Sequence, residues 1–181
     1  MQTQVFFGII VVAVILQRLW ELNFSRRNEV YLLARGAIKH SDNLLGMVKV
    51  LQITWWLAML LEVWFFSRPF ILLLAVIGIL ATVTGQILRY LSIRALGKRW
   101  TVPIVTIPGI PAVKHGIYRY LTHPNWLGVM LEIAGLPLIH GAYLTAICFS
   151  IANAFLLNKR MVAEQLALAK NNLRTGFGGR A

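Results

Sequence analysis

The chain has 181 residues, 58% of them hydrophobic and only 13% charged, with a mean hydropathy of +0.69 and a formal net charge of +12. Soluble domains are about 25% charged and about 45–50% apolar, so this composition excludes an ordinary soluble globule and describes a membrane protein. The charge does not call for nucleic acid, because membrane topology and attraction to anionic lipid account for it. The single cysteine, Cys148, leaves no disulfide framework or cysteine-based metal site within the chain, and a packing role in a span is expected of it.

Four or five apolar runs approach the roughly 20 residues needed to cross a bilayer: 5–20, 44–66, 70–91, 124–140 and 142–157. The first lacks a basic start and a small-residue cleavage site and runs into Arg18-Leu19-Trp20-Glu21, which reads as a mature helix rather than a signal peptide. Between the first two runs, residues 24–49 interleave Val30, Leu32, Leu33, Ala37 and Ile38 with Arg26, Arg27, Arg35 and Lys39. That pattern predicts an amphipathic helix lying in the interface. Trp55, Trp56 and Trp64 in the second run are expected to pack or to anchor at the interface, and Glu62 to reach solvent. Ser67-Arg68-Pro69 predicts a tight turn into the third run.

Past residue 97 the chain changes character. Pro103, Pro108, Gly109 and Pro111 stop any long helix, so 98–123 forms a large loop, and Val102, Ile104, Val105, Ile107 and Ile110 argue that it packs. If the first loop, the segment after the third run and the C-terminus share one side, 17 of the 18 basic residues lie there and only Arg68 lies opposite. Positive residues mark the cytoplasmic face. The expectation is an all-α integral membrane protein with about five transmembrane helices, an interfacial amphipathic helix and a cytoplasmic cofactor loop. Its N-terminus is expected outside and its C-terminus in the cytoplasm, across a bacterial inner membrane. It forms one domain over 1–181, with N-terminal helices over 1–91 and a cofactor-binding and catalytic half over 92–175.

The fourth run opens on Thr122-His123-Pro124-Asn125-Trp126-Leu127-Gly128, with Glu132 four residues on. Proline suits the first helical position, which puts His123 at the N-cap, where backbone N–H groups converge and anionic groups bind. An intramembrane carboxylate is costly and marks a functional site by default. At 100° per residue Pro124, Gly128, Glu132 and Gly135 share one nearly bare stripe, against which something could lie. In the fifth run Asn153, Arg160 and Glu164 fall within about 20° of one face. Two acids and an arginine beside a Pro/Gly loop suit a small zwitterionic or cationic cofactor. No dinucleotide fingerprint or P-loop occurs, the glycine-rich stretch 176–179 reads as a frayed end, and His40, His115, His123 and His140 lack zinc-helix spacing. No metal is expected.

Tyr118-Arg119-Tyr120-Leu121-Thr122-His123-Pro124-Asn125-Trp126-Leu127-Gly128 resembles the Tyr-Arg-Tyr-x-Arg-His-Pro-x-Tyr-x-Gly signature of isoprenylcysteine carboxyl methyltransferases. Glu132 and Arg160…Glu164-Gln165 look like that family's later Glu and Arg-x-x-x-Glu-Glu positions, the likeness covering roughly 84–170. The first half, with Glu21…Arg26-Arg27-Asn28-Glu29…Leu32-Leu33-Ala34-Arg35-Gly36-Ala37, looks like a bacterial branch acting on alkylpyrone or phenolic lipids. Thr122, Trp126 and Gln165 depart from the signature; the missing cation at Thr122 moves the expectation from a carboxylate toward a hydroxyl acceptor.

The resemblance implies an S-adenosylmethionine-dependent transfer of methyl to an oxygen of a lipophilic acceptor from the bilayer, leaving S-adenosylhomocysteine. Gly116, Tyr118, His123, Pro124, Asn125, Trp126, Gly128, Glu132 and Glu164 would bind the cofactor. Arg160, Glu164 and His123 would serve catalysis, Arg160 polarising the acceptor and Glu164 or His123 assisting proton removal. Rival readings are methylation of a phospholipid amine, an NADPH-dependent sterol-type reductase, and a non-catalytic scaffold or transporter.

Overall fold

The computed structural model describes residues 2–41, 44–66 and 68–174. Five α-helices carry it: α1 (Gln2–Leu33), α2 (Leu45–Phe65), α3 (Leu72–Leu96), α4 (Pro124–Leu138) and α5 (Tyr143–Arg174). Four of them are long and apolar enough to cross a membrane. The exception is α4, whose 15 residues rise about 22 Å against a hydrocarbon layer of about 30 Å. The fourth sequence run is thus a shorter helix than a full span. Ser67 of the expected turn and the 176–179 tail lie outside the described residues.

The predicted interfacial helix is not formed. Its first ten residues instead extend α1, which runs 32 residues without a break. Beyond Gly36 (φ 81°), a two-residue strand β1 (Ile38–Lys39) pairs antiparallel with β2 (Val105–Thr106), Ile38 opposite Thr106. The amphipathic reading fails because the left-handed Gly36 ends the helix and the next residues find a strand partner in the 98–123 loop. That loop packs as expected: Trp100 and Ile104 are buried, and single 3₁₀ turns occupy Gly97–Arg99 and Gly116–Arg119.

The face of α3 that packs on α4 is built from small and polar residues. The buried stripe of α3 is Ala75, Gly78, Thr82, Gly85, Arg89 and Ser92, without one large aliphatic side chain. In lipid there is little hydrophobic gain in bringing two helices together, so small residues that admit close backbone contact take over. Gly78 meets Gly135, and Gly85 meets Gly128: a Cβ built on Gly85 would stand 2.7 Å from the Gly128 carbonyl, and one on Gly78 2.7 Å from that of Gly135. The pairs run antiparallel with both spacings at seven residues, which locks α3 and α4 into the most extensive helix contact of the fold.

On α1 the buried side splits in two. Phe7 and Val11 join Trp55, Met59, Val63, Ile133 and Leu136 in an apolar core, whereas Glu21, Ser25 and Asn28 above them are polar. Ser25 accepts from Val102 N at 2.8 Å, and Asn28 donates to the carbonyls of Gly97 and Trp100 at 3.2 and 2.8 Å. The polar half of α1 thereby fixes the start of the loop.

Glu62 does not reach solvent. It is 4% exposed and accepts from Leu144 N (3.2 Å), Thr145 N (2.7 Å) and Thr145 Oγ1 (2.7 Å), with Arg68 Nε 3.2 Å away. These N–H groups are the orphan donors at the start of α5, so a carboxylate of α2 caps another helix and is compensated by the dipole and an arginine. Cys148 is exposed on the outer surface of α5, not packed as expected. Glu62→Ala is expected to destabilise the protein by about 2–3 kcal/mol, with Glu62→Gln near half of that because one acceptor remains. Thermal unfolding in detergent, followed by tryptophan fluorescence, checks it; an unchanged midpoint for Glu62→Ala would exclude the capping role.

Candidate functional site

Two polar clusters occupy opposite faces of α4. The first faces α1 and α3. Glu132, 5% exposed, pairs with Arg18 of α1 and lies 3.7 Å (Oε1 to Nε) from Arg89 of α3. Glu21 of α1 pairs with Arg89 and accepts from Arg18 at 2.5 Å, while Gln17 donates to Gln86 at 2.6 Å. Two carboxylates and two guanidiniums make the cluster neutral, which is the condition for burying charge at low cost. Arg18 and Arg89, counted by sequence as face-marking cations, are instead internal ion-pair partners.

This geometry corrects two expectations. The part of the bare stripe formed by Gly128, Glu132 and Gly135 is filled by α3, not left open to a ligand. A Cβ on Gly128 would lie 2.6 Å from Arg89 Cγ and 2.7 Å from the Gly85 carbonyl. Gly128 is therefore a helix-contact residue, and Glu132 carries its charge into the ionic cluster.

The second cluster faces α5 and the loop. His123 stands at the N-cap of α4 with Pro124 buried at the first helical position, as the sequence predicts, although His123 makes no side-chain cap bond. Its Nε2 accepts from the Gln165 amide at 3.4 Å. Trp126, one turn on, donates Nε1–H to Glu164 Oε2 at 3.2 Å and carries the Arg160 guanidinium 5.0 Å from its ring centroid. Arg160 is 2% exposed and donates to the Val102 carbonyl at 2.6 Å. Val102 thus links Ser25 of α1 to Arg160 of α5 through its own peptide groups.

Tyr118 closes the cluster from the 3₁₀ turn. It lies beside Ser92 of α3 and within electrostatic reach of Glu164. Burial pushes its phenol up to about 12, opposed by the Ser92 hydroxyl and reinforced by the Glu164 charge, so it stays protonated across the working pH range. Gly116 opens that turn at φ 60°, with Ala95 beneath it. Asn125 Oδ1 is buried without a hydrogen-bond partner.

Of the predicted residues, then, Tyr118, His123, Trp126, Arg160 and Glu164 come together with Gln165, and Gly116, Pro124 and Asn125 border them. Gly128 and Glu132 lie on the opposite face of α4. Sequence reasoning missed Ser92, Ser25 and the Val102 carbonyl. Ser92 falls on the seven-residue repeat of small positions running through Gly78 and Gly85, a signal that could have found it; a backbone carbonyl leaves none. Among the described residues no group of three or more His, Cys, Asp or Glu is placed to hold a metal.

Residues 76–170 match the Isoprenylcysteine carboxyl methyltransferase (ICMT) family. A protein of Bacillus subtilis (strain 168) carrying the name "Uncharacterized protein YpbQ" is 33% identical over 169 residues, spanning 93% of this chain and 99% of its own. An "Uncharacterized protein" of Haemophilus influenzae is 24% identical over 165 residues, 91% and 95% of the two chains. The matched segment contains α4, the second cluster and all of α3 but its first turn.

Gly128→Ala separates packing from ligand binding. It should destabilise the protein by about 1–3 kcal/mol, the usual cost of overpacking, because one of the atoms it meets is a backbone oxygen. S-adenosylhomocysteine affinity of the folded fraction should stay within about twofold. A stable Gly128→Ala protein that no longer binds it would return the stripe to the cofactor.

Proposed function

The chain belongs to the isoprenylcysteine carboxyl methyltransferase family of membrane methyltransferases, and on that premise we propose that it moves a methyl group from S-adenosylmethionine to a hydroxyl oxygen of a lipophilic acceptor. The observation that carries the reading is the Arg160–Trp126–Glu164 triplet beside His123. It sets a cation, an aromatic face and a carboxylate around the start of α4. The donor set fits the cofactor. Asn125 Oδ1 is a buried acceptor in want of an N–H or O–H, and Glu164 suits an ammonium. The histidine-capped helix start offers backbone N–H groups to a carboxylate.

When bound, S-adenosylmethionine supplies a methyl group already activated on its sulfonium, so positioning is the protein's main task. Arg160, held between the Val102 carbonyl and the Trp126 ring, orients the acceptor oxygen and steadies its developing charge. Glu164 takes the hydroxyl proton. His123 is the second candidate, its Nε2 lone pair engaged by Gln165. Tyr118 remains a neutral donor because burial holds it protonated. A phenol titrates near 10, so a nearby base and cation matter for a hydroxyl acceptor and hardly at all for a carboxylate ionised near 4.

The acceptor enters from the bilayer and the cofactor from the cytoplasm, with the N-terminus outside and the C-terminus inside. No partner beyond lipid and acceptor is invoked. Detergent-purified protein should be stabilised by S-adenosylhomocysteine and not by NADPH; stabilisation by NADPH alone would favour a reductase. Glu164→Gln should lower turnover by about 10²–10⁴-fold while the wild-type rate rises with pH between 6 and 9. Methyl-labelled product from a membrane lipid extract should survive mild alkali. A base-labile product would identify a carboxylate acceptor, and no methyl transfer to any lipid fraction would overturn the reading.

A further inference from the structure

Hydrocarbon offers no hydrogen bonds, so a buried donor without a partner in a membrane bundle is expensive, at about 1–3 kcal/mol each. Among the described residues four such polar atoms, on Thr82, Gln86, Arg89 and Glu132, border the ionic cluster of α1, α3 and α4. Of those elsewhere, three lie partway along α2 and α5: Trp55 Nε1, Asn153 Nδ2 and Ser150 Oγ are buried with no hydrogen-bond partner. Trp55 is 2% exposed and Asn153 3%.

The helix register brings Trp55 and Asn153 to one level. Glu62 of α2 is bonded to Thr145 of α5, and the two helices run antiparallel from that point. Trp55 lies seven residues inward from Glu62 and Asn153 eight inward from Thr145. At 1.5 Å per residue these are depths of about 10 and 12 Å, level within about 2 Å. Seven residues are two turns, so Trp55 is on the face that Glu62 turns toward α5, and Asn153 shares the face of Arg160, about 10 Å from it along the helix. Ser150 is one turn from Asn153.

Two N–H donors at one depth, with the Ser150 hydroxyl about 4.5 Å from Asn153 along α5, call for an oxygen with free lone pairs. We propose that Trp55, Asn153 and Ser150 form an intramembrane subsite for a carbonyl or similar hydrogen-bond-accepting oxygen carried by the lipophilic acceptor, about 10 Å from the level of Arg160. An acceptor with a bare alkyl chain leaves both N–H groups unpaired and binds less well, so the subsite selects oxygenated lipids. Identifying the occupant as the acceptor rests on the methyltransferase reading; the preference for an oxygen does not.

The test uses the full chain, labelled with ¹⁵N-tryptophan, in detergent micelles, with Trp55→Phe to assign the Trp55 indole resonance. Titration with 2-tridecanone should move that resonance saturably, and titration with tridecane should not. Asn153→Leu should weaken the ketone about tenfold, the equivalent of one hydrogen bond; should that variant not fold, Ser150→Ala and the ketone–alkane comparison in the wild type still decide. Equal response to both probes, response to neither, or an indole N–H in exchange with bound water before any probe is added would overturn the subsite. S-adenosylhomocysteine binding is measured on the same sample. A ketone response without it leaves the subsite standing and removes the methyltransferase reading, and the converse removes the subsite alone.

Discussion

Four charges shared among three helices, all but Arg18 buried, set the terms for the rest of this fold. Arg18 and Glu21 of α1, Arg89 of α3 and Glu132 of α4 neutralise one another inside the bundle. None could be stable there alone, since removing one partner of a buried pair leaves an uncompensated charge at a cost of about 3–5 kcal/mol. Apolar contact supplies little attraction between helices already surrounded by lipid, so the ion cluster gives α1 a specific seat on the α3–α4 pair. A slip of α1 by one residue would carry Arg18 and Glu21 around by 100° and out of reach of both partners.

The same helix then positions the site. One turn beyond Glu21, Ser25 holds Val102 N, and Asn28 holds the Gly97 and Trp100 carbonyls. Val102 in turn receives Arg160. Arg160 therefore inherits its place from α1 through a single residue of the loop, while Trp126 fixes it from α4. A loop with this many prolines makes few backbone hydrogen bonds of its own, and the side chains of α1 supply the ones that hold it. The short strand pair β1–β2 ties the same loop to the segment between α1 and α2.

Much of this was legible in the sequence because bilayer thickness dictates the length of apolar runs. All five helices and the packed, irregular loop follow from hydropathy, Pro and Gly. His123 at the N-cap and Pro124 at the first helical position follow from local backbone chemistry. Which ligand a face meets does not. Gly128 and Gly135 read equally as room for a cofactor and as room for a helix; the tie-breaker was Gly78 and Gly85, spaced by the same seven residues on α3. Glu62 misled because a carboxylate near the end of a span looks solvated, and the N–H groups it caps belong to α5, more than eighty positions away. The amphipathic stretch after α1 misled for a related reason. Its pattern was real, and continuation of α1 followed by a strand partner sixty-eight residues on was the better way to satisfy its backbone.

The division of α4 into two faces explains how so short a helix serves both stability and chemistry. Toward α3 it presents glycines and Glu132, which permit backbone contact and close the ion cluster. Toward α5 it presents Trp126, whose ring and N–H group engage Arg160 and Glu164 at once. Trp126 and Gly128 are two residues apart, or about 200° around the helix, so neither face can move without the other. The glycine contacts fix the rotation of α4 to within the tolerance of a backbone–backbone approach, and that rotation is what aims Trp126 at α5. The packing that looks purely structural on one side is therefore the device that orients the reactive groups on the other, as precise positioning of a cation and a carboxylate requires.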